Sequence, residues 1–497
     1  MKPYLLQHFL ENSAQKFPQK TAVKHKDHIV TYAALAEKAR SLGSGLRHLN
    51  IQRGDRVGIF LDKSIAQVSA ILGILYADAV FVIIGNILSP KQIKHICADC
   101  GIKLLITEEK YLEQLADLEL PKIYGSTFSA LLNIAHLPDG FYQPQNSDTD
   151  IATIIYTSGS TGLPKGIVLT HRNLIEGAEI VSEYLGLTAD EKILGLLPFN
   201  FDYGLNQLTT SLLNGSTLVL FQYLLPNSLL KILADEEITG LAAIPPIWTA
   251  VFGGKMADAS KINLPKLRYI TNSGGKLPVP IVKKIRGTFP QTELYLMYGL
   301  TEAFRSTYLD PAEVDKHPES IGKAIPRVKV EVVNANGQPC RPGEIGELIH
   351  RGACIAQGYW NDPQKTAEVY KGDAVYSGDL VYRDEEGFLY FVGRKDNMIK
   401  TAGYRVSPTE VEELLLQIPG VQDAVVFGIP DAELGYKIRA VVTSADKQLT
   451  AEKIINHCKA AAPQYLMPKE VFIADGFSKT ASGKIDRTKV IGEYKTK

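Results

Sequence analysis

The stretch YTSGSTGLPKG, Tyr156 to Gly166, is where residue types and spacing first suggest chemistry. Glycines alternate with Thr157, Ser158, Ser160 and Thr161, so consecutive backbone N–H groups and hydroxyls can ring an anion. Lys165 would add a point charge or pin the loop. The layout is not the GxxxxGK[ST] of a Walker A loop. Composition alone leaves open whether this is a phosphate cradle or a flexible turn of small residues.

Two further positions carry chemistry only through their neighbours. Asp379, in YSGDL, is by itself an ordinary Gly-Asp turn residue. Lys484, in TASGKIDR, would by itself be a solvated charge near the end of the chain. Cys97 and Cys100 form a CxxC, but no second pair follows. Their spacing suits one face of a helix, and two partly buried thiols are favoured over metal or redox chemistry.

Taken whole, YTSGSTGLPKGIVLTHRNL resembles the signature of the acyl-adenylate-forming (AMP-binding) enzymes. That family comprises acyl- and aryl-CoA synthetases, amino-acid adenylation domains and beetle luciferases. YGLTE (298–302), YSGDL (376–380), GRKDNMIKTAGYRVSPTEVE (393–412) and SKTASGKIDR (478–487) follow in the family's order, so the resemblance spans nearly the whole chain. It implies ATP-dependent activation of a carboxylic acid to acyl-AMP, then transfer to a thiol, either CoA or the phosphopantetheine of a separate carrier protein.

The resemblance assigns roles position by position. Thr157, Ser158, Gly159, Ser160, Thr161, Gly162 and Lys165 would grip the triphosphate. Tyr298 would stack on adenine beside Gly299, Thr301 would touch phosphate, and Glu302 would bind Mg²⁺, which prefers oxygen ligands. Asp379 and Arg394 would hold the ribose. Lys484 would bridge the acid's carboxylate and the α-phosphate as charge develops; Thr161 and Glu302 complete the expected catalytic set. Asp396 matches the family's hinge, and Lys400 and Gly403 fall where it lines a thiol tunnel.

The acid pocket is expected from Phe201, Asp202, Tyr203, Asn206, Ala243, Ile270, Asn272, Gly274, Met297 and Arg305. Asp202 aligns with the aspartate that grips the amino group in amino-acid-activating members, whereas many acyl-CoA synthetases have Phe-His there. An internal Asp202–Arg305 pair, a substrate ammonium on Asp202, and a second acidic group of the substrate on Arg305 all remain open. The polar residues favour a small polar acid over a long-chain fatty acid. LPFNFDYGLNQLTT, YITNSGG and MYGLTEAFRSTY also resemble acyl-CoA ligase-like proteins associated with exosortase A systems, and free-standing amino-acid adenylation enzymes offer an alternative. A non-catalytic relative would be expected to lack Glu302, Asp379, Arg394 or Lys484, all of which are present.

These residues must be positioned by an α/β fold. Short β-branched runs (TAVKH, RVGIFL, AVFVII, KLLIT, IATIIYT, STLVLF, LRYITNS and TELYLMYG) interleave with helical stretches such as TYAALAEKARSLGSGLRHL. That pattern predicts layered α/β subdomains with largely parallel sheets. Residues 320–395 turn β-rich, with hairpin signals at NANG and DEEG. Beyond them a small mobile α+β domain is expected, opening on a helix that Ser407 caps, with Pro408 at its first turn and Glu410 as capping-box partner. The boundary is placed at 395/396, giving 1–395 for the ATP and acid sites and 396–497 for the lysine and the thiol-acceptor face.

Composition narrows the partners. The 54 basic and 54 acidic residues of this 497-residue chain cancel, so no global field would draw in nucleic acid or an anionic membrane. Residues 70–88 read as a buried helix running into a buried strand, not a membrane span. Five cysteines and no convincing signal peptide predict a cytoplasmic protein. One departure from the family pattern is Asp78 and Ile83, where a small residue and a proline are usual; altered packing or pocket edge is expected there.

Overall fold

The computed structural model describes residues 3–133, 143–157, 163–223, 225–252, 262–395, 397–401, 404–431, 434–462, 466–480 and 483–497. Apolar, β-branched runs build a nine-stranded sheet whose inner strands are buried on both faces. In spatial order these are Thr21–His25, Thr217–Leu220, Lys192–Gly195, Gly240–Ala243, Tyr269–Asn272 and Glu293–Tyr298, all parallel. Parallel strands need covered faces and crossover connections, which explains the helices between them.

A seven-stranded sheet is made the same way. Ile102–Thr107, Arg56–Phe60, Val80–Ile83 and Ile151–Thr157 lie parallel, and Ile151–Thr157 then turns back antiparallel onto Lys165–Thr170. Lys63 joins the two sheets. Its ammonium donates to the carbonyls of Gly195 (2.8 Å), Leu196 (2.6 Å) and Phe221 (3.2 Å), and burial lowers its pKa to about 7. Open parallel sheets bind ligands beyond the carboxyl ends of their strands.

The β-rich segment is a five-stranded antiparallel sheet that includes Val328–Val333, Gly346–Gly352, Ala374–Arg383 and Leu389–Arg394. Asp384–Gly387 closes a tight hairpin there. Asn334–Gly337 makes a turn, but the partner strand resumes only at Gly346. From Ile399 onward another five-stranded sheet carries the helices Pro408–Leu416, Ala451–Ala461 and Arg487–Tyr494. Its buried clusters, around Val406, Leu415, Val426 and Cys458 and around Val425 and Val441, draw only on residues from Ile399 to Tyr494.

Two local expectations change. Ser407 does cap the helix Pro408–Leu416, but it accepts from the N–H of Thr409 and Glu410 does not reciprocate. The Ser407 hydroxyl donates instead to the Val392 carbonyl, 2.6 Å away, tying the helix to the preceding sheet. Asp78 takes a left-handed backbone (φ 58°) where a small residue is usual, and its buried carboxylate meets Arg47 at 2.7 Å. Aspartate tolerates that conformation better than bulkier residues do. Cys97 and Cys100 are buried, and burial pushes their thiols up to about 12 and about 11. The Cys100 thiol donates to the Ile96 carbonyl, as expected of packed side chains. Among the described residues no helix is long and apolar enough to cross a membrane.

Candidate active site

The strand Glu293–Tyr298 ends at the sheet's carboxyl edge and delivers Tyr298 to the β-rich sheet. There Asp379 and Arg394 are direct cross-strand partners, which brings the guanidinium within 3.0 Å of Asp379 Oδ1. Tyr298 Oη donates to Oδ2 at 2.6 Å, and the Asp379 N–H is held by Ser377 Oγ at 3.0 Å. Burial raises the Asp379 pKa, against the pull of Arg394 and Tyr298. Oδ1 is also buried and is ion-paired with that guanidinium. A carboxylate oxygen has lone pairs for more than one donor. A sugar hydroxyl could share this one.

Lys484 is presented by a turn in which its carbonyl accepts from the Thr480 N–H, with Lys479 and Ile485 bridged across it. Its ammonium stands 5.1 Å from the centroid of the Phe201 ring. Burial lowers its pKa, against the opposing attraction of Asp202 and Asp379. The lysine stem crosses Gly274, whose backbone is left-handed (φ 79°). A Cβ there would stand 3.0 Å from Lys484 Cε and 3.4 Å from Nζ. Glycine is the residue that allows both the conformation and the approach.

Lys484 borders three cavities. The first, about 320 Å³, is also lined by Phe201, Asp202, Tyr203, Gly274, Met297, Tyr298, Gly299, Thr301, Arg305, Asp379 and Arg394. The second, about 410 Å³, is bordered by Thr157, Pro164, Phe201 and Thr301. The third, about 350 Å³, lies between Pro245, Gly275 and Lys276 on one side and the helix Pro408–Leu416 on the other. Lys276 also meets Glu413 of that helix at 2.9 Å.

Of the expected residues that the structure describes, most line the first cavity, with exceptions. Asn206, Ala243, Ile270 and Asn272 are buried but do not line the first cavity. Asn206 turns its amide to Thr209 on its own helix, and Asn272 donates to the Gly275 carbonyl. Glu302 adjoins the cavity-lining Thr301 without lining that cavity itself, and its Oε1 accepts from Tyr359 Oη at 2.5 Å. Lys165 reaches Asp362 at 3.2 Å, the loop-pinning alternative. Ser158, Gly159, Ser160, Thr161, Gly162, Asp396 and Gly403, and the side chain of Lys400, lie outside the described residues. Ser273, Lys276, Phe304 and Phe391 line the cavity without any sequence motif that marks them. Ser273 sits in the quoted YITNSGG, but a lone serine there gives no signal of its own.

Asp202 and Arg305 share the cavity without reaching ion-pair distance among the described contacts. Asp202 Oδ1 accepts from the N–H of Tyr203 at 2.8 Å, and burial raises its pKa against the attraction of Arg305 and Lys484. Arg305 donates to Ser273 Oγ at 2.9 Å. The direct internal pair considered from sequence is not formed.

Comparison with known proteins agrees with this geometry. Residues 10–360 match the family model of AMP-binding enzymes, and residues 410–484 match that of the AMP-binding enzyme C-terminal domain. The chain is similar to a long-chain-fatty-acid–CoA ligase of Escherichia coli O157:H7, with 28% identity over 98% of this chain and 94% of that protein. It is 31% identical to part of a linear gramicidin synthase of Brevibacillus parabrevis, over 96% of this chain and 9% of that protein. Its fold is similar to the crystal structure of the anthranilate CoA ligase AuaEII in complex with anthranoyl-AMP: TM-score 0.92, 26% identity, covering 99% of this chain and 98% of that one. The chain belongs to the AMP-binding enzyme family.

Proposed function

We propose that this enzyme joins a small polar carboxylic acid to AMP, releasing pyrophosphate, and then passes the acyl group to the thiol of CoA. The observation that carries the reading is the position of Lys484. It lines both the cavity that holds Asp379, Arg394 and Tyr298 and the cavity bordered by Thr157 and Pro164. Asp379 and Arg394 would hold the ribose, and a buried carboxylate and a guanidinium side by side in the cavity wall support that fit. Glu302 would take the magnesium that accompanies ATP, through an oxygen donor suited to a hard cation. The Lys484 ammonium would neutralise carboxylate and α-phosphate as they approach, where a preorganised donor acts most strongly.

The 320 Å³ cavity, with Asp202 and Arg305 in its wall, does not suit a long apolar chain, so the fatty substrate named for the Escherichia coli relative is not carried over. We further propose that residues 396–497 rotate about Asp396 once pyrophosphate leaves. Lys484 would withdraw, and Lys400 and Gly403 would face the thiol, a hinge-type step. Five unpaired, buried cysteines suit a cytoplasmic enzyme.

One observation favours a second reading. Asp202 is buried without a cation at ion-pair distance among the described residues, and an unpaired buried carboxylate calls for one. A substrate ammonium would supply it, making this a free-standing amino-acid adenylation enzyme that loads a carrier protein. Acid-dependent exchange of labelled pyrophosphate into ATP, over fatty, aryl, hydroxy and amino acids, tests the first step. Capture of the product on CoA or on a phosphopantetheinylated carrier separates the acceptors. Exchange confined to amino acids, with no CoA thioester, would favour the second reading.

A further inference from the structure

Arg305 is 2% exposed, yet no carboxylate reaches it at ion-pair distance among the described residues. It lines the 320 Å³ cavity, and its Nε is buried without a hydrogen-bond partner. The guanidinium donates to Ser273 Oγ and lies by the Tyr184 hydroxyl, both neutral groups. Taking such a cation out of water is costly unless an anion and further hydrogen bonds meet it.

The group is also held in place. Its Cζ lies 4.8 Å from the Tyr203 ring centroid and 5.1 Å from that of Phe304. Tyr203 is fixed by its hydroxyl contact with Thr271 Oγ1 at 2.5 Å. Phe304, directly before Arg305, has a left-handed backbone (φ 49°), uncommon for a bulky residue and a form of strain found at functional sites. The chain packs so tightly there that a Cβ on Gly299 would stand 2.4 Å from the Phe304 carbonyl oxygen and 2.9 Å from Arg305 Cα. A planar fork held this way suits recognition of a carboxylate. Asp202, which lines the same cavity, attracts it without an ion-pair contact among the described residues.

We propose that the activated acid carries a second carboxylate, which docks on Arg305 while the first faces Lys484. The substrate class is thus a short dicarboxylic acid or an acidic amino acid, the latter using Asp202 for its ammonium. This rests on the ligase reading above and deepens it.

The test is pyrophosphate exchange with matched pairs. Malonic, succinic, glutaric and adipic acids are compared with monocarboxylic acids of equal length, and aspartate and glutamate with asparagine and glutamine. The expected result is a preference in kcat/KM of at least about a hundredfold for the member with the second carboxylate, because a site built for a polar group rejects an analogue that leaves it unpaired. Which pair shows it separates diacid from amino diacid. Arg305→Met should reduce the preference to within about tenfold, and Arg305→Lys, a charge without the fork, should fall between. Circular dichroism checks the fold; should the Met variant not fold, the wild-type panel and the Lys variant decide. Equal use of charged and uncharged members, or a preference unchanged in the folded Met variant, overturns the inference alone. Exchange with no acid of any class overturns the ligase reading and this inference with it.

Discussion

Gly274→Ala probes the site through a residue that carries no functional group. The new Cβ would lie 3.0 Å from Lys484 Cε and 3.3 Å from Ile244 Cγ2, closer than most Cβ contacts allow. The left-handed backbone (φ 79°) adds about 1–2 kcal/mol of strain for a residue with a Cβ. The lysine stem is the softer of the two neighbours, so the ammonium should be displaced. Complete loss of a preorganised donor costs about 2.7–4 kcal/mol, and a misplacement of about 1 Å costs about 10²-fold. Acyl-AMP formation should therefore fall about ten- to a hundredfold. Lys484 is proposed to act only in that step, so thioester formation from supplied acyl-AMP should fall much less. Single-turnover assays of the two half-reactions read this directly, with a thermal melt recording the strain. Equal losses in both half-reactions, or a lower melting temperature with adenylation intact, would refute the reasoning.

The remaining predictions concern other parts of the same site. Glu413→Gln removes the charge that the helix Pro408–Leu416 presents to Lys276, a part-exposed pair worth up to about 1 kcal/mol; the ratio of thioester-forming to adenylating rate should rise up to about fivefold, and an unchanged ratio in the paired assays would show that the ion pair does not bias the two steps. Asp379→Asn weakens hydrogen bonds to a charged acceptor, worth about 1.5–3 kcal/mol, and should raise the KM for ATP about ten- to a hundredfold with a smaller effect on the KM for the acid. In the role proposed for Lys484 the cationic form is the active one, and burial lowers its pKa. Adenylation should therefore be lost as pH rises, with an alkaline limb below the ordinary lysine range that is absent in Lys484→Arg; a limb that persists in that variant would assign it to another group.

Much of this is legible because nucleotide chemistry repeats residue types at fixed spacings. Through the family resemblance YGLTE, YSGDL and the terminal lysine segment can be read without a structure, and β-branched periodicity marks strands of the sheets around them; the glycine-hydroxyl turn lies outside the described residues. What escapes depends on side-chain direction at the ends of elements. Asn206 and Asn272 are polar and near in sequence to cavity residues, yet each turns its amide N–H to a local acceptor and does not line the cavity. Ser273 and Phe304 have no motif of their own; they matter because Arg305 needs an acceptor and a ring beside it. The local pattern makes Glu410 a capping-box partner, but Ser407 spends its hydroxyl proton on Val392, a contact between segments that no local pattern encodes.

As an acid–thiol ligase of the AMP-binding family, the chain should convert binding of nucleotide and acid into phosphoanhydride chemistry at Lys484. The most direct measurement is incorporation of labelled pyrophosphate into ATP by wild-type protein and by Lys484→Ala, with magnesium and each acid of the panel. Strictly acid-dependent exchange that falls at least about a hundredfold in the variant is the predicted result. No exchange with any acid, or equal exchange by the two proteins, would contradict the account.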